Sequence, residues 1–260
     1  MKGAATGMNQ MAKLSAILIV RNEERDLPGC LESLKGVADE IVVVDSGSTD
    51  RTVEIAENFG ARVIHRAFMG FGPQKQFALE QATGEWVINV DADERVSPAL
   101  GQEIRSVVSG TPTVNGFCLR FHNVFLGRRL RFGGHWSEWH LRLFRRDKAH
   151  YEGREIHEGI SVAPPLGRLH SPVLHESYKN FAEYLEKCNR YTGLIAKDKY
   201  RKGRRFTLWS HARLPWDFFS RYILKLGFLD GNAGFIYATL SAYYTWLKLI
   251  RVMEGEGDAR

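Results

Sequence analysis

The feature that most constrains this chain is the alternation of short apolar runs with amphipathic stretches through its first hundred residues. Leu14–Val20 (LSAILIV) and Glu40–Asp45 (EIVVVD) are short, rich in β-branched residues and bounded by polar turns, which marks them as buried strands. Between them Leu27, Leu31 and Leu34 recur at helical spacing. Ser48, Thr49 and Asp50 offer N-caps for a second helix through Phe59, Arg62–His65 reads as a third strand, and 74–82 as a third helix. Trp86–Val90 reads as a fourth strand. A β-α-β-α-β-α-β order predicts an α/β fold with a mostly parallel central sheet and right-handed crossovers, and such sheets bind ligands at the carboxyl ends of their strands.

Those ends carry the chemistry. The first strand runs into Arg21-Asn22-Glu23-Glu24, the second into Asp45-Ser46-Gly47-Ser48 and the fourth into Asp91-Ala92-Asp93. Two carboxylates at i and i+2 after a buried strand can converge on Mg²⁺ or Mn²⁺, ions that take one or two protein carboxylates and keep places for diphosphate oxygens. Two acids in a solvated surface turn would give the same pattern. In the second segment Gly47 turns the chain and Ser48 or Asp50 caps a helix without any ligand. That account leaves Asp45 over, a carboxylate ending an apolar strand, where it could accept a hydrogen bond from a base N–H.

After Pro98 the pattern changes. Phe117, Leu119 and Phe121 alternate, as does the run HLRLFR at 140–145, so the middle section is expected to be mixed or antiparallel. From Tyr178 a helical stripe runs through Phe181, Leu185, Cys188, Thr192 and Ile195. The three cysteines, Cys30, Cys118 and Cys188, lie far apart in no metal-binding spacing, which fits a reducing cytoplasm. The run at 14–20 is too short for a signal peptide, so no export is expected.

The net charge of +6 is concentrated. Nine Lys/Arg against two acids between Lys197 and Lys225 give +7, which leaves −1 for the rest of the chain. The same region holds Phe206, Trp209, Trp216, Phe218, Phe219 and Tyr222, a combination that suits an anionic membrane surface, with a solvated face or a helical pair packed on the main domain as alternatives. No motif of a nucleic-acid module accompanies it, so nucleic acid is not an expected partner. Residues 231–247 are uncharged but short of a spanning helix, so lying on a membrane explains them better than crossing one.

LSAILIVRNEE, EIVVVDSGSTDRT and QKQFALEQATGEWVINVDADE, in that order and spacing, resemble the nucleotide-binding half of glycosyltransferase family 2. GREIHEGI and HESYKNFAEYLEKCNRYTGL resemble the subgroup of bacterial lipopolysaccharide-core β-1,4-glucosyltransferases. The resemblance implies a GT-A nucleotide-sugar-binding fold over 13–200, with a nucleotide half (13–97) and an acceptor half (98–200), a flexible 1–12 and a helical membrane-associating extension at 201–260. It implies metal-dependent, inverting transfer of a hexose, glucose from UDP-glucose, to a sugar of a lipid-linked acceptor such as lipopolysaccharide core, at the cytoplasmic face of the inner membrane, which 201–250 would contact.

By the same resemblance Val20, Arg21, Glu23, Asp45, Lys75, Asp91 and Ala92 serve the nucleotide, and Asp93 holds the divalent metal with Asp91 as its possible companion. Lys75 stands where the family commonly has Arg, and Lys lacks that residue's bidentate reach. Glu158 is the expected general base, with Glu138 second. His157, Trp136 and Arg142 are candidate acceptor or phosphate contacts, while His170, His175 and Glu176 are read as structural or acceptor-lining. Two other readings stay open: a sugar nucleotidyltransferase, which would need a glycine-rich phosphate loop that RNEERDLPG does not supply, and a non-catalytic, membrane-associated carbohydrate-binding protein.

Overall fold

The structure is a computed structural model and describes residues 14–110, 112–134, 138–151, 159–178, 180–201, 203 and 205–257. The first hundred residues form β1 (Leu14–Val20), α1 (Leu27–Leu34), β2 (Glu40–Asp45), α2 (Thr52–Asn58), β3 (Arg62–His65), α3 (Phe71–Gln81), β4 (Trp86–Asn89), β5 (Glu94–Val96) and α4 (Pro98–Ser109). There follow β6 (Gly116–Phe125), β7 (Arg128–Arg129), β8 (Trp139–Arg145), β9 (Ala149–Tyr151), β10 (Ile160–Val162), β11 (Leu166–Tyr178), α5 (Phe181–Arg201), α6 (Arg213–Phe219) and α7 (Gly231–Gly257).

The large sheet has the order β3-β2-β1-β4-β8-β6-β11-β5, with β7 on β6. β1, β2, β3 and β4 pair in parallel, and β8 then adds antiparallel to β4 with Ile88 opposite Leu143. The expected mixed α/β architecture with a C-terminal helical part is therefore the one observed. Strand bounds follow burial: β1 and β2 are apolar on both faces because helices cover both, as alternating crossovers require. α1 buries Leu27, Cys30, Leu31 and Leu34. α3 packs Ala78 and Leu79 into a cluster with Ile17, Val42, Val44, Val87 and Phe144.

At the amino ends of the parallel strands a polar knot sets their alignment. One oxygen of Glu40 accepts from Ser15 Oγ (2.5 Å), Thr83 N (2.9 Å) and Thr83 Oγ1 (2.8 Å), and the other from Arg62 Nη2 (3.0 Å). Ser15 Oγ in turn accepts from Gly84 N at 2.8 Å. A Cβ at position 84 would stand 2.8 Å from Ser15 N, so this approach requires glycine.

The chain divides into two compact units: the described part of Met1–Arg120 with Trp139–Val173, and Phe121–Glu138 with Leu174–Arg260. In the second unit α5 and α6 pack on α7. Phe125, Leu130, Tyr184 and Cys188 are buried with Tyr237, Leu240 and Tyr244 packed against them, and Tyr184 donates its hydroxyl hydrogen to Leu240 O at 2.6 Å. A π-helical turn (Ser220–Leu224) and a 3₁₀ turn (Gly227–Asp230) join α6 to α7. Among the described residues, no helix is long and apolar enough to cross a membrane.

Candidate active site

The loops after β1 and β2 interlock. Asn22, at φ 56°, donates its N–H to Ser48 Oγ (2.9 Å) and accepts from Thr49 N on its own Oδ1 (2.8 Å). Glu23 N donates to Thr52 Oγ1 (2.7 Å), Glu24 N to Asp50 Oδ2 (3.1 Å), and Arg51 N to Glu24 Oε2 (3.1 Å). The RNEE and DSGSTDRT runs are thus two halves of one structure; the N-cap of α2 is Arg51 instead of the expected Ser48 or Asp50, and Asp50, one residue earlier, accepts from Thr52 N at 3.0 Å.

Asp45, buried at the end of β2, closes the turn over Gly47 (φ 88°). Its carboxylate accepts from Gly47 N (3.0 Å), Ser48 N (3.2 Å) and Ser48 Oγ (2.5 Å), and His65 Nδ1 lies 3.1 Å away. Burial raises its pKa, but the Ser48 hydroxyl, the two backbone N–H groups and His65 outweigh that and hold it below the usual carboxylate value. Next to the Asp45 turn, α3 buries Gln74 and Lys75. Gln74 Nε2 donates to Ser46 Oγ (3.2 Å) and Arg66 O (3.1 Å), while its buried Oε1 has no hydrogen-bond partner among the described residues.

Asp91 follows β4 and sits between two cations. Lys75 Nζ lies 3.1 Å from its Oδ1 and Arg142 Nη2 donates to its Oδ2 at 2.9 Å; Lys75 is 4% exposed and Arg142 14%. Arg142 also holds Glu94 Oε1 at 2.5 Å, and Glu94 Oε2 accepts from Asp91 N at 3.0 Å. Burial works to raise the Asp91 pKa, yet the Lys75 and Arg142 charges drive it far below the ordinary carboxylate range. Arg142 shifts upward, because Glu94 and Asp91 outweigh its own desolvation. Arg95 braces the same loop, donating to Ala92 O (2.8 Å) and, at the start of α1, to Asp26 O (2.8 Å).

Of the residues singled out from sequence, the fold therefore unites Lys75, Asp91 and Arg142, and sets Asp45 and Glu23 in the interlocked loops at the carboxyl ends of neighbouring strands. Val20 is buried beside them, its carbonyl accepting from Ser46 N at 2.9 Å, and Arg21 is exposed. Asp93 is half-buried. Glu138 falls in the second unit, where it accepts from Asn123 Nδ2 at 2.7 Å. His170 and His175 fall in different units. His170 N donates to Glu103 Oε1 (3.0 Å), while His175 Nδ1 lies 3.0 Å from Asn123 Oδ1. Trp136, His157 and Glu158 lie outside the described residues. Sequence reasoning missed Glu94, Arg95, Gln74 and His65. The signal for Glu94 was present, a third acid in the DADE run directly after a buried strand.

The family model for glycosyl transferase family 2 matches residues 15–165. The lipopolysaccharide core biosynthesis glycosyltransferase LpsC of Rhizobium meliloti is 32% identical over 93% of this chain and 92% of its own length. An uncharacterized glycosyltransferase of Rickettsia bellii is 28% identical over 93% of this chain and 86% of its own. Among solved structures, S. aureus TarS 1-349 aligns over 95% of this chain and 92% of that one, at 16% identity and a TM-score of 0.47. The strand-end acids, their placement by a parallel sheet and the match over more than half the chain converge: this chain is a glycosyltransferase of family 2.

Proposed function

We propose that the enzyme transfers a hexose, glucose from UDP-glucose, with inversion to a sugar of a lipid-linked acceptor of the lipopolysaccharide-core kind, working at the cytoplasmic face of the inner membrane. The observation that carries this reading is the Lys75–Asp91–Arg142 cluster at the end of β4, two strands from Asp45 in the sheet order β2-β1-β4. A nucleoside diphosphate has a base to be read and a charge to be neutralised, and the two groups of residues answer those needs. The likeness to LpsC supports an acceptor of that class.

A divalent cation fits the donor set in one form. Both oxygens of Asp91 are engaged by cations, so Asp93 is the residue we assign to Mg²⁺ or Mn²⁺, and one carboxylate completed by diphosphate oxygens and water is a coordination these ions accept. When bound, the ion supplies charge neutralisation for the departing diphosphate. Among the described residues no group of three His, Cys, Asp or Glu is placed to cage an ion. Asp91 then serves the nucleotide side with Lys75. Glu158 is proposed as the base that takes the acceptor hydroxyl's proton, with Glu138 as second choice. A screen of UDP-, GDP- and ADP-sugars with Mn²⁺ or Mg²⁺, scored by released nucleotide, tests the donor. UDP-glucose is expected to lead, and preference for a GDP- or ADP-sugar refutes the assignment.

A further inference from the structure

The second unit carries an apolar load out of proportion to its size. Of the eighteen large hydrophobic side chains exposed among the described residues, eleven lie between Leu208 and Ile236. Leu208 and Trp209 are each 85% exposed, Leu224 57% and Trp216 54%. Trp216, Phe219 and Ile223 follow one another at helical spacing along α6 and the π-helical turn. They look outward while Phe218 and Tyr222 stack on each other (5.3 Å) and meet Phe235 of α7 edge-on (5.6 and 5.5 Å). Trp209, Ala212, Arg213, Pro215, Trp216 and Phe219 line an open depression on this edge. The long helix α7 is the scaffold, and the short broken segments before it hold the greasy surface.

Charge decides the occupant. The stretch 197–225 bears the +7 counted above while the remainder of the chain sums to −1, and Arg205, Arg213, Arg221 and Lys225 are interspersed with the apolar residues. Arg and aromatic residues mark protein–protein interfaces too, but a stretch with so large a net positive charge beside exposed Trp, Phe and Leu is the composition of an element lying in an anionic bilayer interface. The electrostatics agree: burial, and repulsion from Lys199, Arg221 and Arg213 that exceeds the help of Asp217, lower the Lys248 ammonium to about 8. On the face itself Arg213 pairs with Asp217 at 3.0 Å, and three cations, Arg213, Arg221 and Lys225, stand against that one acid between 208 and 229.

Resting on the membrane location proposed above and sharpening it, we infer that the edge formed by residues 208–229 docks on an anionic phospholipid bilayer, Trp209 and Trp216 entering the interface and the surrounding Arg and Lys meeting lipid phosphates. Each cation near an anionic surface strengthens association with it, and the indoles seat at headgroup depth.

The test is sedimentation of the full chain with vesicles of phosphatidylcholine alone or mixed with phosphatidylglycerol, together with calorimetry of UDP. Binding is expected only to the mixed vesicles, and salt should weaken it. The double variant Trp209→Ser, Trp216→Ser should lose about a hundredfold in vesicle partition, roughly tenfold per indole, while binding UDP as wild type does. Wild-type tryptophan fluorescence should be quenched by brominated anionic lipid, a readout that needs no variant. Equal partition of the double variant, absence of binding to anionic vesicles, or a dimer in light scattering that the double variant abolishes would each overturn the inference. Loss of UDP binding in the wild type sinks the donor reading instead and leaves vesicle binding to be judged on its own.

Discussion

Lys75 Nζ lies 3.1 Å from Asp91 Oδ1, so the first acid of the DAD segment, half-buried, is held by a buried ammonium. The two acids of that segment should therefore behave differently. Asp93→Asn is expected to lower turnover by about a hundredfold or more and to raise the Mn²⁺ concentration needed for half-maximal rate. Asp91→Asn should leave the metal titration in place and raise KM for the nucleotide-sugar. Metal titrations of both variants decide the matter, and equal shifts in the two would overturn the division of labour.

Arg142 serves two carboxylates from a nearly buried position, so removing it leaves Lys75 as the cation at Asp91 and takes the Arg142 charge from buried Glu94. Arg142→Met should cost about 3–5 kcal/mol of unfolding free energy, the usual penalty for breaking a buried ion network from one side. Urea denaturation followed by circular dichroism measures it; a loss below 1 kcal/mol would mean the network is largely solvated.

Asp45 is held below the ordinary carboxylate pKa chiefly by the Ser48 hydroxyl working against burial. A depressed carboxylate contributes stability and an acceptor that are fully present above its unfolded-state value and are lost as pH falls through its folded-state value. Ser48→Ala raises the folded value, so the acid limb of UDP affinity should move to higher pH. Calorimetry across the acid range is the check, with an unmoved limb as the adverse result.

The crowded Lys248 makes stability depend on alkali. It faces Lys199 of α5, Arg213 and Asp217 of α6 and Arg221 of the π-helical turn, with its ammonium over the Tyr244 ring at 4.3 Å. Between about 8 and the ordinary 10.5 the unfolded chain holds more protons than the folded one, so stability should rise with pH across that window. Lys248→Met should flatten this rise, and thermal melts from pH 8 to 10.5 measure the slope.

Much of the first unit was legible in advance. β1, β2 and β3 begin and end as read, because a short β-branched run between polar turns has few other fates when helices cover both faces. The third helix starts at Phe71 instead of Gln74, since Gly70 at φ 111° turns the chain in and Pro73 is tolerated in a first turn. α4 was not read, although Ser97-Pro98 signals its start and Ser97 Oγ accepts from Leu100 N at 3.3 Å. β11 was overlooked because Ser171-Pro172 interrupts its pattern. At the site, Lys75, Asp91 and Arg142 each stood out singly. Their pairing depends on how β8 aligns with β4, a relation between distant segments that no local pattern encodes. The choice among glycosyl transfer, nucleotidyl transfer and simple sugar binding came from family membership.

The Glu40 knot has a consequence for how such an enzyme diversifies. With Glu40, Ser15, Arg62 and Thr83 fixing strand alignment at one end of the sheet, the interlocked loops at the other end share that task and do not carry it alone. Donor-facing segments outside the RNEE and DSGSTDRT pair can be grafted or randomised in the laboratory on a chassis whose alignment is also held from the opposite end. Conversely, a single Gly84→Ala exchange, which touches no loop at the donor end, should cost about 1–3 kcal/mol by prying that chassis apart.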